Sequence, residues 1–180
     1  LLPGDLPTRA AMITFDDAYA SVARIAAPIL AERKLPAVFF VNPGPVAQRI
    51  VPFDGIASLV CARFGPTELA DVASAGSFAA TTFGMFMNGY AASLGLRDLH
   101  AAKARLLARL ATTEAALHAK LGIYMTAAEL TGLAGMGIEV ANHTTSHVHC
   151  GPLTLDELRR EIVDAKTAIE TMTDRPVRAF

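Results

Sequence analysis

Apolar residues arrive along this chain in short blocks whose period changes. Ala11-Met12-Ile13-Thr14-Phe15 and Ala37-Val38-Phe39-Phe40-Val41 are runs rich in β-branched and aromatic side chains. That is the pattern of strands buried on both faces. Between them, residues 19–34 repeat at helical spacing. Val22, Ile25, Ala26, Ile29 and Leu30 share one face, with Arg24, Glu32, Arg33 and Lys34 off it. Pro28 falls inside this run and is expected to kink or divide it. Pro36 ends the turn that follows, and Asn42-Pro43-Gly44-Pro45 stops the second strand. Strand, helix and strand in this order predict a βαβ unit with a parallel pair.

The pattern changes over 53–124, which is rich in Ala, Leu and Gly and offers no convincing strand. Ser77 to Gly95 is uncharged and reads as a buried or lid helix. Leu99 to Leu121 reads as strongly helical, with Leu106, Leu110, Leu117 and Leu121 near one face. The whole stretch is expected to be a helical insertion between two strands, packed over the site as a lid. The strand–helix rhythm resumes at Thr126, where Glu129 three residues on completes a capping box. That helix should end at Gly135-Met136-Gly137 with glycine at its C-cap, before a strand over Ile138–Ala141. Thr154 and Glu157 form a second capping box, opening a helix to about Met172 with Leu158, Ile162, Ala165 and Ile169 inward. Pro176-Val177-Arg178-Ala179-Phe180 is expected to begin a fourth strand. The prediction is an α/β fold with 1–180 as one domain.

Composition narrows the picture. The 180 residues are 52% hydrophobic and 18% charged, enough for one domain with a real core. A net charge of -1, from 16 basic and 17 acidic residues, gives no electrostatic case for nucleic acid or a membrane surface. No apolar run is long and uninterrupted enough to be a membrane span. Trp is absent and aromatics are 7%. Cys61 and Cys150, the two cysteines, are expected to be reduced and partly buried. The chain opens at Leu1-Leu2-Pro3 without a signal peptide, so it reads as a piece of a longer protein, its compartment open.

The chemistry concentrates in two places. Asp16-Asp17 follow the first strand, and His143-Thr144-Thr145-Ser146-His147 follow the strand at 138–141. Taken separately, the aspartates read equally as the start of a helix, and the histidines as polar loop residues. Taken together, they end strands of one parallel sheet, where α/β folds gather their chemistry. One carboxylate and two imidazoles make a three-ligand site for a divalent ion with one position open. The other carboxylate is then free to act as a base.

These two segments resemble the first two motifs of polysaccharide deacetylases of the NodB-homology type, carbohydrate esterase family 4. The flanks agree: Ala26-Ala27-Pro28-Ile29-Leu30, Leu35-Pro36 through Val41, Gly137-Ile138-Glu139-Val140 and Leu153-Thr154-Leu155. The likeness covers roughly 11–45 and 125–180. It implies a NodB-type (β/α) barrel, distorted and incomplete at its C-terminal side, with 53–124 inserted in it. It further implies that Asp17, His143 and His147 bind a divalent metal, zinc first, with cobalt, nickel or manganese as alternatives, and that Asp16 is the catalytic base. The implied activity is removal of acetyl groups from N-acetylated sugars of a polysaccharide. An O-acetyl esterase (or a deformylase-like hydrolase of small molecules) and a non-catalytic, metal-stabilised carbohydrate-binding domain are the alternatives. Ala18 stands where the family most often has Gly. The family's third motif and its general-acid histidine are expected after Phe180, so residues 1–180 alone are expected to be inactive or nearly so. His100 and His118 are expected to be solvated, and His149 to be a loop residue.

Overall fold

Three of the apolar runs meet in one parallel sheet. The computed structural model describes residues 9–180, so residues 1–8 of the expected domain lie outside the described residues. Strands β1 (Ile13–Phe15), β2 (Ala37–Val41) and β3 (Glu139–Asn142) lie in the order β1-β2-β3. Phe15 pairs with Phe39, and Val41 with Asn142. Parallel pairing carries every strand's C-terminal end to one edge, so Asp16, Asn42 and His143 leave the sheet side by side. Apolar cover comes from Val22, Ala27 and Leu30 together with Leu130, Leu133 and Ile169, and Phe15 and Phe39 meet edge to face at 5.0 Å.

The first crossover is a π-helical turn, Val22–Ala26, running into α1 (Ala27–Glu32). Pro28 sits in the first turn of α1, where a missing N–H is tolerated. It therefore divides the run without breaking it. The wider π turn re-phases the helix. The buried residues are Val22, Ala23, Ala27 and Leu30, while Ile25 and Ile29 are 62% and 47% exposed. This corrects the face read from the sequence, which assumed a uniform period of 3.6.

Helices fill the second crossover: α2 (Phe53–Phe64), α3 (Pro66–Ser74), α4 (Phe83–Met85), α5 (Leu96–Arg109) and α6 (Glu114–Leu121). They enclose a core of their own around Ile56, Val60, Leu69, Phe86, Leu99, Leu106 and Leu117. Ser77 to Gly95 is not one helix. Bends precede α4, and Phe86–Tyr90 and Ala91–Ser93 are separate π- and 3-10-helical turns. Leu99 to Leu121 is likewise two helices, since the Thr113 hydroxyl accepts the Ala116 N–H (3.2 Å) and starts α6 afresh.

Two capping boxes form as read. Thr126 and Glu129 open α7 (Ala127–Gly135), and Thr154 and Glu157 open α8 (Leu155–Leu158). Gly137, at φ +77°, turns the chain from α7 into β3. A π-helical stretch, Arg159–Asp164, joins α8 to α9 (Ala165–Thr173). Residues 176–180 do not form a strand. The Asn142 N–H donates to the Ala179 carbonyl (3.0 Å), a single ladder bond without continuation. Among the described residues the sheet has three strands and does not close. No described helix is long and apolar enough to cross a membrane.

Candidate metal centre

The chain leaves β1 through two residues in left-handed conformation, Asp17 (φ 73°) and Ala18 (φ 58°). A short antiparallel bridge pins this turn. Met125 N–H donates to Ala18 (2.9 Å), Ala20 N–H donates to Ile123 (2.7 Å), and Tyr19 stacks on Tyr124. The turn carries the Asp17 carboxylate back over the sheet edge and leaves Asp16 exposed. Left-handed Ala18 explains why glycine suits this position.

The histidine loop is held from three sides. His143 N–H donates to Val41 (3.0 Å), so the loop starts as an extension of the ladder. Asn42, fully buried, donates its side-chain amide to the carbonyls of His143 and Thr144. Gly44 N–H donates to the Thr145 carbonyl (2.9 Å), and a Cβ on Gly44 would collide with that oxygen. From the π-helical stretch, Glu161 accepts both the Ser146 N–H (2.9 Å) and its hydroxyl (2.8 Å). Thr144 and His147 take left-handed conformations, with the His147 N–H donated to the Thr144 hydroxyl (3.0 Å). Four non-glycine residues with positive φ within two short segments are strain of the kind that sites hold and surroundings stabilise.

These constraints bring Asp17, His143 and His147 together. One ligand atom from each lies within 4.8 Å of the others. Asp17 Oδ1 is 3.5 Å from His143 Nε2 and 3.3 Å from His147 Nε2. An ion held tetrahedrally by bonds of about 2.0–2.1 Å sets its ligands about 3.3–3.4 Å apart. The spacing therefore suits a small divalent ion.

A residue that the sequence reading missed completes the cluster. Asp54, in the first turn of α2, lies 3.1 Å from His147 Nδ1. A carboxylate only accepts, so Nδ1 carries the hydrogen. Burial pushes the Asp54 carboxyl up, but the hydrogen bond and charge of His147 and the backbone N–H groups of Asp54 and Gly55 outweigh it, and the net shift is downward. The Asp54 hydrogen bond raises His147's affinity for a proton against the opposing effect of burial. With Nδ1 protonated, a neutral His147 turns a lone pair at Nε2 toward Asp17. Asp17 Oδ1 is itself buried without a hydrogen-bond donor. Burial raises the Asp17 pKa first, His147 and His143 lower it, and Asp54 and Asp16 raise it again. A buried oxygen without a donor, facing two imidazole nitrogens, suits a cation between them.

The other histidines behave differently. His100 and His149 are exposed. His118, expected to be solvated, is half-buried, with Nε2 2.9 Å from the Pro45 carbonyl and its ring stacked on Tyr124. Both thiols are free and half-buried. Asp54 gave no signal of its own, because an acid in a helix's first turn is ordinary dipole chemistry. Asn42 reads in the sequence only as part of the turn that stops the second strand.

A sequence model of the polysaccharide deacetylase family matches residues 4–180. No curated protein and no solved structure matches the chain. The match spans the aspartate turn, the helices of the second crossover and the histidine loop alike, and the chain belongs to the polysaccharide deacetylase family.

Proposed function

We propose that this chain carries a divalent-metal site for removing acetyl groups from N-acetylated sugars of a polysaccharide. Asp17, His143 and His147 hold the ion, with zinc as first choice, and Asp16 is the base. The observation that carries the reading is Asp17 Oδ1, buried without a donor and 3.3–3.5 Å from two imidazole nitrogens. A bound divalent ion supplies charge that polarises a carbonyl and eases deprotonation of water. The chain's own residues do the rest. Asp16, exposed beside the cluster, accepts the proton of the attacking water. Its charge reaches both Asp17 and His147, raising each one's affinity for a proton. A base on the solvent side, next to ligands on the buried side, keeps the two aspartates in separate roles.

In the same proposal, 53–124 is an insertion within one deacetylase domain, and the open sheet is a portion of a NodB-type barrel. Its support is the parallel βαβ order and the bond from Asn142 to Ala179, where a further strand would add.

Acetate release from N-acetylglucosamine oligomers and from acetylated xylan, with added Zn²⁺ or Co²⁺, tests the reading. The proposal assigns no general acid to His100, His118 or His149, and the loss of a positioned acid costs about 10²–10⁴ in rate. The expected result is slow, metal-dependent release from the amide substrate, lost in Asp16→Asn while that variant still binds the ion. Release that survives chelation, or that survives Asp16→Asn, would sink the assignment. Preference for the xylan ester would move it to O-acetyl esterase.

A further inference from the structure

His147 joins a carboxylate beside the sheet to one on a helix of the second crossover. Its Nε2 faces Asp17 at the end of β1, and its Nδ1 faces Asp54 at the start of α2. We infer that Asp54 is the positioning residue for His147, holding the Nδ1–H so that the Nε2 lone pair is aimed at the metal position.

Three observations carry this. The hydrogen bond is 3.1 Å, and Asp54 stands in the first turn of α2, which holds it on its side of the bond. Its neighbours in sequence, Phe53 and Ile56, lie in the helical core, so the carboxylate has little freedom to swing away. Asp54 and His147 also line one cavity of about 110 Å³ with Phe53, Met87, Leu94 and Leu99. Apart from Asp54, His147 and His149 the lining is apolar, and a charged hydrogen bond is stronger beside such surface than in open water.

The alternative tautomer would put a hydrogen on Nε2, donate it to Asp17 and occupy the very direction an ion needs. Asp54 excludes that state. A carboxylate behind a histidine ligand also raises the basicity of the ligating nitrogen, and loss of such partners typically costs about 10–100-fold in metal affinity. The helical segment would then do more than cover the site, since it supplies the group that orients one ligand's ring.

The consequence for metal rests on the reading above, whereas the hydrogen bond does not, and the test separates them. The 180-residue chain and its variants are ¹⁵N-labelled, and the His147 imidazole tautomer is read by NMR without metal. Zn²⁺ affinity is then measured by competition with a chromophoric chelator. Wild type is expected as the Nδ1–H tautomer. In Asp54→Ala the Nε2–H form should appear and Zn²⁺ affinity should fall about 10–100-fold. Asp54→Asn keeps an acceptor oxygen without its charge, so it should retain the tautomer and lose less affinity, and Asp54→Glu should restore most of it. Far-UV circular dichroism checks that each variant is folded, since Asp54 also favours the start of α2. An Asp54→Ala chain that is folded and binds Zn²⁺ as tightly as wild type overturns the inference. So does an Nε2–H tautomer in wild type. If wild type binds no Zn²⁺, the metal reading falls alone, and the tautomer in wild type against Asp54→Ala still decides for or against Asp54.

Discussion

At the scale of single residues, the site depends on conformations that most side chains avoid. Ala18 is the sharpest case, at φ 58° and 1% exposed. An L-residue in left-handed conformation carries roughly 1–2 kcal/mol of strain. Replacing it by glycine removes that strain, but loses about 0.8 kcal/mol of methyl burial and frees the unfolded chain by about 0.4–1 kcal/mol. The terms nearly cancel, so Ala18→Gly should change stability by less than about 1 kcal/mol. Ala18→Val has no such offset. A β-branched residue at positive φ is an outlier, and added bulk in a filled position costs about 1–3 kcal/mol more. Urea denaturation should show Ala18→Val destabilised by about 3 kcal/mol, and equal midpoints for the two variants would show that the turn relaxes freely. That Asp17, His143 and His147 meet was legible in the sequence, because Asp16-Asp17 follow one apolar run and His143 and His147 stand in the loop after another. Asp54 was not, because its partner lies across the second crossover and its own surroundings look like any helix start.

At the scale of elements, local chemistry was read well and phase was read poorly. Thr126–Glu129 and Thr154–Glu157 form their boxes because every partner lies within one helical turn. Ile25 and Ile29 were assigned to the wrong face because a π turn adds a residue that hydrophobic period alone does not announce. Val177 is buried as a strand residue would be, yet 176–180 gains only one sheet bond. The box at α7 also allows a clean test of charge. Glu129 accepts from Arg24 at 2.6 Å, and that hydrogen bond, aided by the backbone N–H of Thr126, holds its pKa at about 2 against an ordinary 4.5. A depressed carboxyl contributes stability above the unfolded value and loses it as pH falls toward the folded value. The Glu129 contribution is therefore complete above pH 4.5 and fades between 4.5 and about 2. Glutamine preserves the capping geometry, so Glu129→Gln isolates the charge. The expected cost at pH 7 is about 0.5 kcal/mol, since the pair is solvated. The stability gap between wild type and variant should close over pH 4.5–2; a gap that stays constant with pH would assign the effect to packing.

At the scale of the molecule, two cores meet at one polar cluster. The sheet core contains Phe39, Val41 and Leu130, and the helical core contains Ile56, Leu69 and Leu106. Asp17, His143 and His147 stand on turns that leave the sheet, and Asp54 stands on α2, which packs in the helical core. An ion held by the first three residues therefore also tightens the hydrogen bond to the fourth, and binding should reinforce the junction as well as the loop. A ligand that binds only the folded state at about 100 times its Kd adds about 2.7 kcal/mol. For a chain of this size each kcal/mol raises Tm by about 2–4 °C. Saturating Zn²⁺ should accordingly raise Tm by about 5–10 °C, chelation should reverse the shift, and Asp17→Ala should abolish it. Hydrogen exchange gives the finer outcome. Amides at the start of α2 should gain protection together with those of the histidine loop, because the Asp54–His147 bond links them. Protection confined to the loop, with α2 unchanged, would mean that the two cores share a boundary without sharing stability.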